Sequence, residues 1–311
     1  MAKKRSGRLL MGLLCLSVVF AFCVWELFQA GKSTTFQKEG VNQTNGISTS
    51  TSQSPGIYSS NAVLMDLSNG RVLYQKAGDE KAYPASLTKI MTVIVAIEHL
   101  PDLQASVTLS NRVFRDLREM DASTAGFFPN ERLKIADLLY GAMLPSGADA
   151  AQGLAIAVSG SEAAFVKLMN QKAAGLGMRN THFANDSGLQ DADHYTTARD
   201  IAILLKYALK NHTFRELFTA HRHIIPPTNL HPDGMTLYST LFQEMTHPEF
   251  DGISVTGGKT GYTEEAGLCL ATLARKDHRE YILVTMGARG NHQTLQFNVL
   301  DASMIYKKFL E

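Results

Sequence analysis

A serine and a lysine three positions apart, Ser86 and Lys89, have the residue types and spacing of a nucleophile and its base. If they lie on a helix they share a face, so the lysine amine can approach the serine hydroxyl. A serine hydroxyl is a weak nucleophile until a neighbouring base takes its proton, and a desolvated lysine can be that base. N–H groups at the start of a helix favour negative charge that develops near Ser86. The pair therefore predicts covalent catalysis by a serine.

Alone, this pair also has an ordinary interpretation. A chain of this length holds roughly one Ser-x-x-Lys pattern by chance, and the two residues could be a helix-capping serine and a solvated lysine. Other motifs must therefore decide between a catalytic pair and a helix cap.

Two further motifs carry groups that a covalent serine enzyme would use. Ser146-Gly147-Ala148 lies at a break between two predicted helices, where a hydroxyl can point into a cleft. Lys259-Thr260-Gly261 follows a glycine pair and precedes Tyr262-Thr263. Glycine lets a substrate backbone approach such a strand closely, and Lys259 with the threonine hydroxyls suits a terminal carboxylate. Each motif alone fits a cap or an exposed strand lysine, but the three together favour an active site.

The elements that would position these motifs follow from apolar periodicity and turn residues. The predicted strands are Ala62–Leu67 and Arg71–Gln75 as a hairpin around Asn69-Gly70, Val107–Leu109, a segment near Ile224, Ser254–Lys259, Gly267–Arg275 and Tyr281–Gly287. The predicted helices are Ser86 to Leu100, Glu131–Leu144, Ala148–Val158, a helix capped by Ser159 with Glu162 that ends near Ala174, one capped by Thr197 with Asp200 that ends at Leu209, and Leu295–Leu310. Strands at both ends with helices between them predict an α+β sheet domain with a helical subdomain on one side.

With the three motifs in this order, the chain resembles the penicillin-binding protein and serine β-lactamase superfamily, and most closely its low-molecular-mass serine D-Ala-D-Ala carboxypeptidases. The resemblance covers residues 57 to 311. It rests on Pro84–Lys89, Leu144–Gly147, His182–Asn185, His194–Asp200, Gly258–Gly261 and Ala266-Gly267. It implies a β-lactamase/transpeptidase-like fold, in which an antiparallel sheet is flanked by helices and carries an inserted helical subdomain.

The resemblance also implies a reaction and a role for each motif. Ser86 would be acylated by the D-Ala-D-Ala end of a peptidoglycan stem pentapeptide, with Lys89 as general base and Ser146 relaying protons to the leaving amine. Water would hydrolyse the acyl-enzyme, β-lactams would acylate the same serine, and neither a metal nor a cofactor is expected. On the substrate side the implied residues are Lys259, Thr260, Gly261, Tyr262 and Thr263, with the oxyanion held by the N–H groups of Ser86 and Tyr262 and with Arg289 as a further carboxylate contact.

The middle motif departs from the family pattern at its third residue. Members usually have an asparagine there, whose amide contacts the substrate and the catalytic lysine, whereas this chain has Ala148. A methyl group supplies neither hydrogen bond, so Asp149 or a backbone group would have to replace them. The departure concerns contacts to the substrate more than the acylation step.

Two alternatives share the penicillin-reactive serine. A class A β-lactamase would need a further glutamate in a Glu-x-x-Leu-Asn pattern, and no glutamate of this chain is followed by that pattern. A membrane-anchored β-lactam sensor would need a cytoplasmic part that receives its signal, and residues 1–8 offer little for that role. A carboxypeptidase is therefore favoured over both.

A zinc peptidase is an alternative of another class. Its best candidates are His221 and His223, but no His-Glu-x-x-His pattern occurs, and alternate positions on one strand explain this pair. His182 and His194 are expected to make structural hydrogen bonds. Cys269, between two leucines, is expected to be a small core residue rather than a nucleophile.

The N-terminal part of the chain differs from the rest in composition. Basic residues precede the uncharged apolar run Leu9 to Trp25, which is close to the ~20 residues needed to cross a bilayer. Residues 1–30 are predicted to be a cytoplasmic tail and membrane anchor, with a cleaved signal peptide as the alternative. Residues 31–56, rich in Ser and Thr, would be a flexible linker to the extracytoplasmic catalytic domain, residues 57–311. The net charge of +1 gives no reason to expect nucleic acid as a partner.

Overall fold

The computed structural model describes residues 56–115, 117 and 122–310. Its strands are β1 (Asn61–Asp66), β2 (Val72–Lys76), β3 (Ser106–Thr108), β4 (Arg132–Lys134), β5 (Arg222–Ile225), β6 (Met235–Tyr238), β7 (Glu249–Phe250), β8 (Ile253–Thr263), β9 (Gly267–Lys276) and β10 (Arg279–Ala288). Six of them form an antiparallel sheet in the order β2-β1-β10-β9-β8-β7. Two further antiparallel pairs, β3 with β4 and β5 with β6, lie outside this sheet.

The helices of the described residues are concentrated between β2 and β8. They are α1 (Lys89–His99), α2 (Ile135–Met143), α3 (Ala148–Ser159), α4 (Glu162–Leu176), α5 (Ala198–Ala208), α6 (His212–Thr219), α7 (Thr240–Glu244) and, after the last strand, α8 (Phe297–Leu310). Two short 3-10 turns, Ala85–Thr88 and Asn111–Phe114, precede and follow α1. Together with the sheet they confirm the predicted α+β class.

Both faces of the large sheet are buried, and the alternation of side chains along each strand shows it. On β1, Val63 and Met65 join the larger apolar cluster, which contains α1, whereas Ala62 and Leu64 join a second cluster beneath α8. Successive side chains of a strand point to opposite faces. A sheet that is covered on both faces therefore requires apolar side chains at consecutive positions. Helix α1 is itself buried along Lys89 to Ala96, which holds the lysine of the first motif inside the protein.

The ends of the domain are held together by hydrogen bonds as well as by strand pairing. The buried carboxylate of Asp301 on α8 accepts hydrogen bonds from the backbone N–H groups of Tyr58 and Ser59, at 2.9 and 2.6 Å. The Ser59 hydroxyl donates to the same carboxylate at 2.5 Å. Residues before β1 are thereby attached to the last helix.

Most predicted elements are confirmed, and the hairpin is the clearest of them. Strands β1 and β2 pair around Asn69-Gly70, where Gly70 has φ +77° and its N–H donates to the Asp66 carbonyl at 2.8 Å. A positive φ of this kind favours glycine at that position. The predicted strands after residue 253 and the C-terminal helix are present as well, with ends shifted by a few residues.

Three predicted helix starts are wrong, one of them at Ser86, where the α-helix begins only at Lys89. The helix predicted from Glu131 begins at Ile135, because Arg132–Lys134 pairs with β3 instead, a contact to a distant segment that local periodicity cannot reveal. The cap predicted at Ser159 is Ser161, whose hydroxyl accepts a hydrogen bond from the Ala164 N–H, while Ser159 is the last residue of α3. Helices α6 and α7 and strands β4, β6 and β7 were not predicted.

The predicted membrane segment, residues 1–30, and residues 31–55 of the predicted linker lie outside the described part of the chain. Within the part that is described, no helix combines the length and the apolar character that crossing a membrane requires.

Candidate active site

Ser86 lies in the 3-10 turn Ala85–Thr88, directly before α1, and not inside the helix as predicted. Pro84 precedes this turn and accepts a hydrogen bond from the Leu87 N–H at 3.1 Å. Ala85 and Leu87 are buried on either side, and Ala85 has φ +46°, an unusual conformation for a residue with a side chain. The turn therefore holds the half-buried Ser86 at the wall of a cleft of about 660 Å³.

Lys89, the first residue of α1, reaches the Ser86 hydroxyl. Its Nζ lies 2.9 Å from Ser86 Oγ and donates a second hydrogen bond to the Ser187 carbonyl at 2.7 Å. The side chain is only 2% exposed. Burial lowers the pKa of Lys89 to about 8, and the negative charges of Asp186 and Asp149 oppose this shift. A substantial fraction of the amine is therefore neutral near physiological pH, as a general base requires.

Two glycines allow other segments to contact the backbone around Ser86. A Cβ on Gly261 of β8 would lie 3.0 Å from the Ser86 nitrogen and 3.3 Å from the Leu87 nitrogen. Gly188 has φ +87°, and a Cβ on it would overlap the Ala85 carbonyl oxygen. Only residues without a side chain fit such close approaches. The strand and the Gly188 segment therefore meet at the turn that carries Ser86.

Lys259 on β8 is the second buried amine of the site. It is 1% exposed, and its Nζ donates to the Thr260 carbonyl at 2.8 Å. Burial lowers the pKa of Lys259 well below its usual value, the charge of Lys89 lowers it further, and Glu244 opposes both. Because the charge of Lys89 lowers the pKa of Lys259, the two amines interact electrostatically.

The remaining residues of the third motif form one side of the site. The Thr260 hydroxyl is 2.7 Å from that of Thr240 on α7, and Tyr262 and Thr263 line the cleft. Beyond its short pairing with β7, the other edge of β8 has no strand partner among the described residues. N–H and C=O groups along such an edge can pair with an extended peptide.

Ser146 and Ala148 lie in the turn between α2 and α3. Ser146 has φ +66° and is 6% exposed, while Ala148 contributes to the cleft wall. The Ala148 N–H donates to the Ser123 carbonyl at 2.8 Å, and Ser123 also lines the cleft. Ala148 therefore places a methyl group where the family pattern has an amide.

Asp149 does not replace that amide. Its carboxylate accepts N–H groups of Ala125 and Ala150 at 2.8 and 2.9 Å and of Phe127 at 3.1 Å, and it is fully buried. Burial raises the pKa of Asp149, and these backbone donors lower it in part. Its visible role is to fasten the segment around Ala125 to the start of α3.

Of the predicted site residues, Ser86, the buried Lys89, Tyr262 and Thr263 line the cleft, whereas the buried Ser146, Lys259, Thr260 and Gly261 lie behind its wall. The other residues of the cleft wall were not predicted from the sequence. These are Ala122, Ser123, Ser187, Gly188, Leu189, Gln190, Glu264, Glu265 and His292. A turn signal was available for part of this set, since the Asn185 side chain accepts the Gly188 N–H at 2.7 Å.

Arg289, the further carboxylate contact that the resemblance implied, is engaged elsewhere in this structure. Its guanidinium stacks over the rings of Tyr58 and Phe297, at 4.8 and 4.7 Å from their centroids. Cys269 is fully buried, and burial raises the pKa of its thiol to about 12, as expected of a core residue.

The histidines considered as ligands make structural contacts. His194 lies 2.7 Å from the Thr88 hydroxyl, and His182 lies 2.6 Å from the Asp193 carbonyl. His223 contacts the Asp137 carboxylate at 2.9 Å. His221 stacks on Phe242, with 3.6 Å between the ring centroids. The residues that the structure describes contain no group of three or more metal-ligating side chains.

Comparison with known proteins agrees with this geometry. The family model described as D-alanyl-D-alanine carboxypeptidase, peptidase family S11, matches residues 48–290. The D-alanyl-D-alanine carboxypeptidase DacF of Bacillus subtilis is 35% identical over 73% of this chain and 57% of its own length. DacC of Escherichia coli is 32% identical over 80% of this chain and 60% of its own.

A solved structure extends the comparison to the fold. A point variant of the Streptomyces K15 DD-transpeptidase superposes with a TM-score of 0.75 and 28% identity, covering 83% of this chain and 99% of that one. The β-lactamase/transpeptidase-like fold that the resemblance implied is thereby confirmed. The chain spans 57–60% of the length of the two curated relatives. It belongs to peptidase family S11, the D-alanyl-D-alanine carboxypeptidases.

Proposed function

We propose that this chain is a serine D-Ala-D-Ala carboxypeptidase that removes the terminal D-Ala from peptidoglycan stem pentapeptides. The observation that carries the proposal is the 2.9 Å contact between Lys89 Nζ and Ser86 Oγ, made by a buried amine at the wall of a cleft. A nucleophile within hydrogen-bond distance of a desolvated base is what acyl transfer requires. Membership of the family supplies the substrate class.

In the proposed acylation step, neutral Lys89 takes the proton of the Ser86 hydroxyl as Oγ attacks the carbonyl carbon of the penultimate D-Ala. A bond forms between Oγ and that carbon, and the C–N bond to the terminal D-Ala breaks. The leaving amine receives a proton, which Ser146 relays. The oxyanion is stabilised by the N–H groups of Ser86 and Tyr262, next to the close approach of Gly261.

Substrate orientation is assigned to strand β8. The peptide would add to the free edge of the strand, with its terminal carboxylate held by Lys259, Thr260 and Thr263. The contact between the Thr240 and Thr260 hydroxyls supports this role, because it orients the Thr260 hydroxyl. β-Lactams, which mimic the dipeptide, would acylate Ser86 in the same way.

Water completes the proposed reaction by hydrolysing the acyl-enzyme. Transfer of the same acyl group to an amine is the second candidate, because the superposed structure bears the name DD-transpeptidase. Cleavage of cross-links would also proceed through the Ser86 ester. Adding an amino-acid acceptor to the assay separates transfer from hydrolysis, because transfer yields a new peptide and hydrolysis yields a tetrapeptide.

We further propose that residues 1–30 anchor the domain at the extracytoplasmic face of a bacterial cell membrane. The support comes from sequence: basic residues before the apolar run Leu9 to Trp25 favour a cytoplasmic N-terminus. Protease added to intact spheroplasts should degrade the domain if it is outside, and protection of the domain would contradict the proposal. If the N-terminal sequence of the membrane-bound protein begins at residue 1, the segment is retained.

The central test uses the purified full chain and a stem pentapeptide that ends in D-Ala-D-Ala. We expect D-Ala release to stop when one fluorescent penicillin is bound per chain. Ser86→Ala should lose both release and covalent labelling while its thermal unfolding temperature stays the same. Labelling that persists in this variant would exclude Ser86 as the nucleophile, and labelling of the parent without D-Ala release would favour a sensor.

A further inference from the structure

Asp186 is a buried carboxyl group that the proposed mechanism does not use. It lies between α4 and α5, in the segment that covers the nucleophile, and is 1% exposed. Both of its carboxyl oxygens are shielded from solvent and have no hydrogen-bond partner among the described residues. An ionised carboxylate in such a place is costly unless an opposite charge offsets the lost hydration.

The backbone around Asp186 is attached to the helix that carries Lys89. The Thr92 hydroxyl, on α1, donates to the Asp186 carbonyl at 2.5 Å. Lys89 itself donates to the carbonyl of the next residue, Ser187, at 2.7 Å. These two bonds, one turn apart on α1, hold the backbone of residues 186 and 187 against the turn of helix that carries Lys89.

Titratable groups on several elements surround Asp186 and Lys89. The surrounding titratable groups are Asp149 on α3, Glu162 on α4, His194 on the covering segment and Lys259 on β8. Asp149 already has backbone N–H partners, and Glu162 accepts the Asp186 N–H at 3.4 Å and adds a like charge. Lys89 is thus the group whose positive charge stabilises the Asp186 anion.

The stabilisation is mutual. Burial and Glu162 raise the pKa of Asp186 well above its usual value, and Lys89 opposes this shift. In the other direction, Asp186 is the largest influence that opposes the lowered pKa of Lys89. Each group therefore favours the charged form of the other, and the two titrate as a pair.

We propose that Asp186 is a positioning residue whose carboxylate stabilises the ammonium that Lys89 becomes when it takes the proton of Ser86. The inference rests on the proposed function, because it assigns Lys89 the role of base. No proton moves to Asp186 in this step: the Ser86 proton passes to Lys89 Nζ, from which Ser146 relays it to the leaving amine, and the Oγ electron pair forms the ester bond as the C–N bond breaks. Asp186 acts through charge alone.

The test is the pH dependence of acylation by a fluorescent penicillin in the full chain, measured as a second-order rate constant from about pH 6 to about pH 10. In the parent the rate should rise with pH to a midpoint near the Lys89 pKa of about 8. In Asp186→Asn the midpoint should fall by about one pH unit, because the ammonium has lost its counter-charge. The plateau rate should fall a few-fold, because a less basic amine is a poorer proton acceptor.

Asp193→Asn is the matched control, since it removes the same charge from an exposed position of the same segment. Its profile should match that of the parent. Thermal unfolding identifies any variant that fails to fold, and Asp186→Ala, which needs less space, then replaces Asp186→Asn with the same expected midpoint.

The outcomes separate this inference from the proposed function. A parent that penicillin does not label would overturn the function and the inference together. The inference alone would be overturned if the labelling rate of the parent rises with pH and the Asp186→Asn profile has the same midpoint. A lower plateau with an unchanged midpoint would indicate a purely structural role and would also overturn it.

Discussion

Two lysines bring an amine to the candidate site from different elements, Lys89 from the start of α1 and Lys259 from β8, and both are almost completely buried. Lys89 reaches across to the Ser86 hydroxyl and the Ser187 carbonyl. Lys259 donates to the carbonyl of its own neighbour in the strand. One amine thus contacts the proposed nucleophile, while the other is held along the strand that would bind the substrate.

The charges around the two amines differ as well. Lys89 has two carboxyl groups that oppose the effect of burial, and its pKa falls only to about 8. Lys259 has one, Glu244, and also faces the charge of Lys89, and burial holds its pKa well below the usual value. Burial is common to both, so the number and sign of the neighbours decide how each behaves. Lys89 is suited to exchange a proton near neutral pH, and Lys259 depends on an anion, such as a substrate carboxylate, to remain charged.

The largest expected effect tests the Lys89 side of this comparison. Lys89→Gln should lower the rate of acylation by a fluorescent penicillin about 10³- to 10⁴-fold, because it removes the general base. The rate of peptide cleavage should fall by the same factor for peptides with and without a terminal carboxylate. Lys167→Gln, the same change at an exposed position of α4, is the control and should leave the rate unchanged. A loss of less than about tenfold would mean that another group takes the proton.

A smaller and more selective effect is expected at Lys259. Lys259→Gln should lower kcat/KM about 100-fold for a peptide that ends in a carboxylate, because the charge that attracts it is gone. For the C-terminally amidated peptide, kcat/KM should fall at most a few-fold. Lys89→Gln should not show this difference between the two peptides. Steady-state kinetics with the two peptides provide the measurement. Equal losses for both would indicate that Lys259 acts on the reacting atoms instead.

The smallest effect concerns Glu244, whose pKa burial raises to about 7. Below that pH the carboxyl group is already neutral, so Glu244→Gln should behave like the parent. Above it the anion supports the Lys259 ammonium, and its removal should raise KM for the carboxylate-bearing peptide about threefold. KM measured near pH 6 and near pH 8.5 distinguishes the two regimes.

Glu249→Gln, an exposed change on the neighbouring strand, is the control for this pH-dependent difference. A rise in KM that is the same at both pH values would show that Glu244 holds the packing of α7 rather than the charge of Lys259.

The sequence was sufficient to select candidate site residues that are close together along the chain. Ser86 and Lys89 share one turn of chain, and the glycines near Lys259 mark a strand that is approached closely. The helical and strand periods of the flanking segments predicted most elements, because buried faces impose those periods. The hairpin at Asn69-Gly70 followed from turn chemistry alone.

What escaped prediction depends on contacts between distant segments. Nothing local indicates that Gly188 meets the backbone of Ala85, or that Ser187 supplies a carbonyl to Lys89. Asp186 and Glu244 look like ordinary surface acids in the sequence, and only the fold shows that they are buried beside the two amines. The assignment of residues 1–30 and 31–56 stays a prediction.

The pairing of β1 with β10 has a consequence for the order of events during synthesis. Asn61 of β1 lies opposite Met286 of β10, so the centre of the large sheet joins the beginning of the domain to its last strand. A growing chain cannot close this sheet until the residues of β10 have left the ribosome, and pairings over such separations form slowly. Until then β1 and β2 form at most an isolated hairpin, which is marginally stable in water. The large sheet is therefore closed only after β10 has been synthesised, and until then the chain stays in the unfolded form that the proposed export would require.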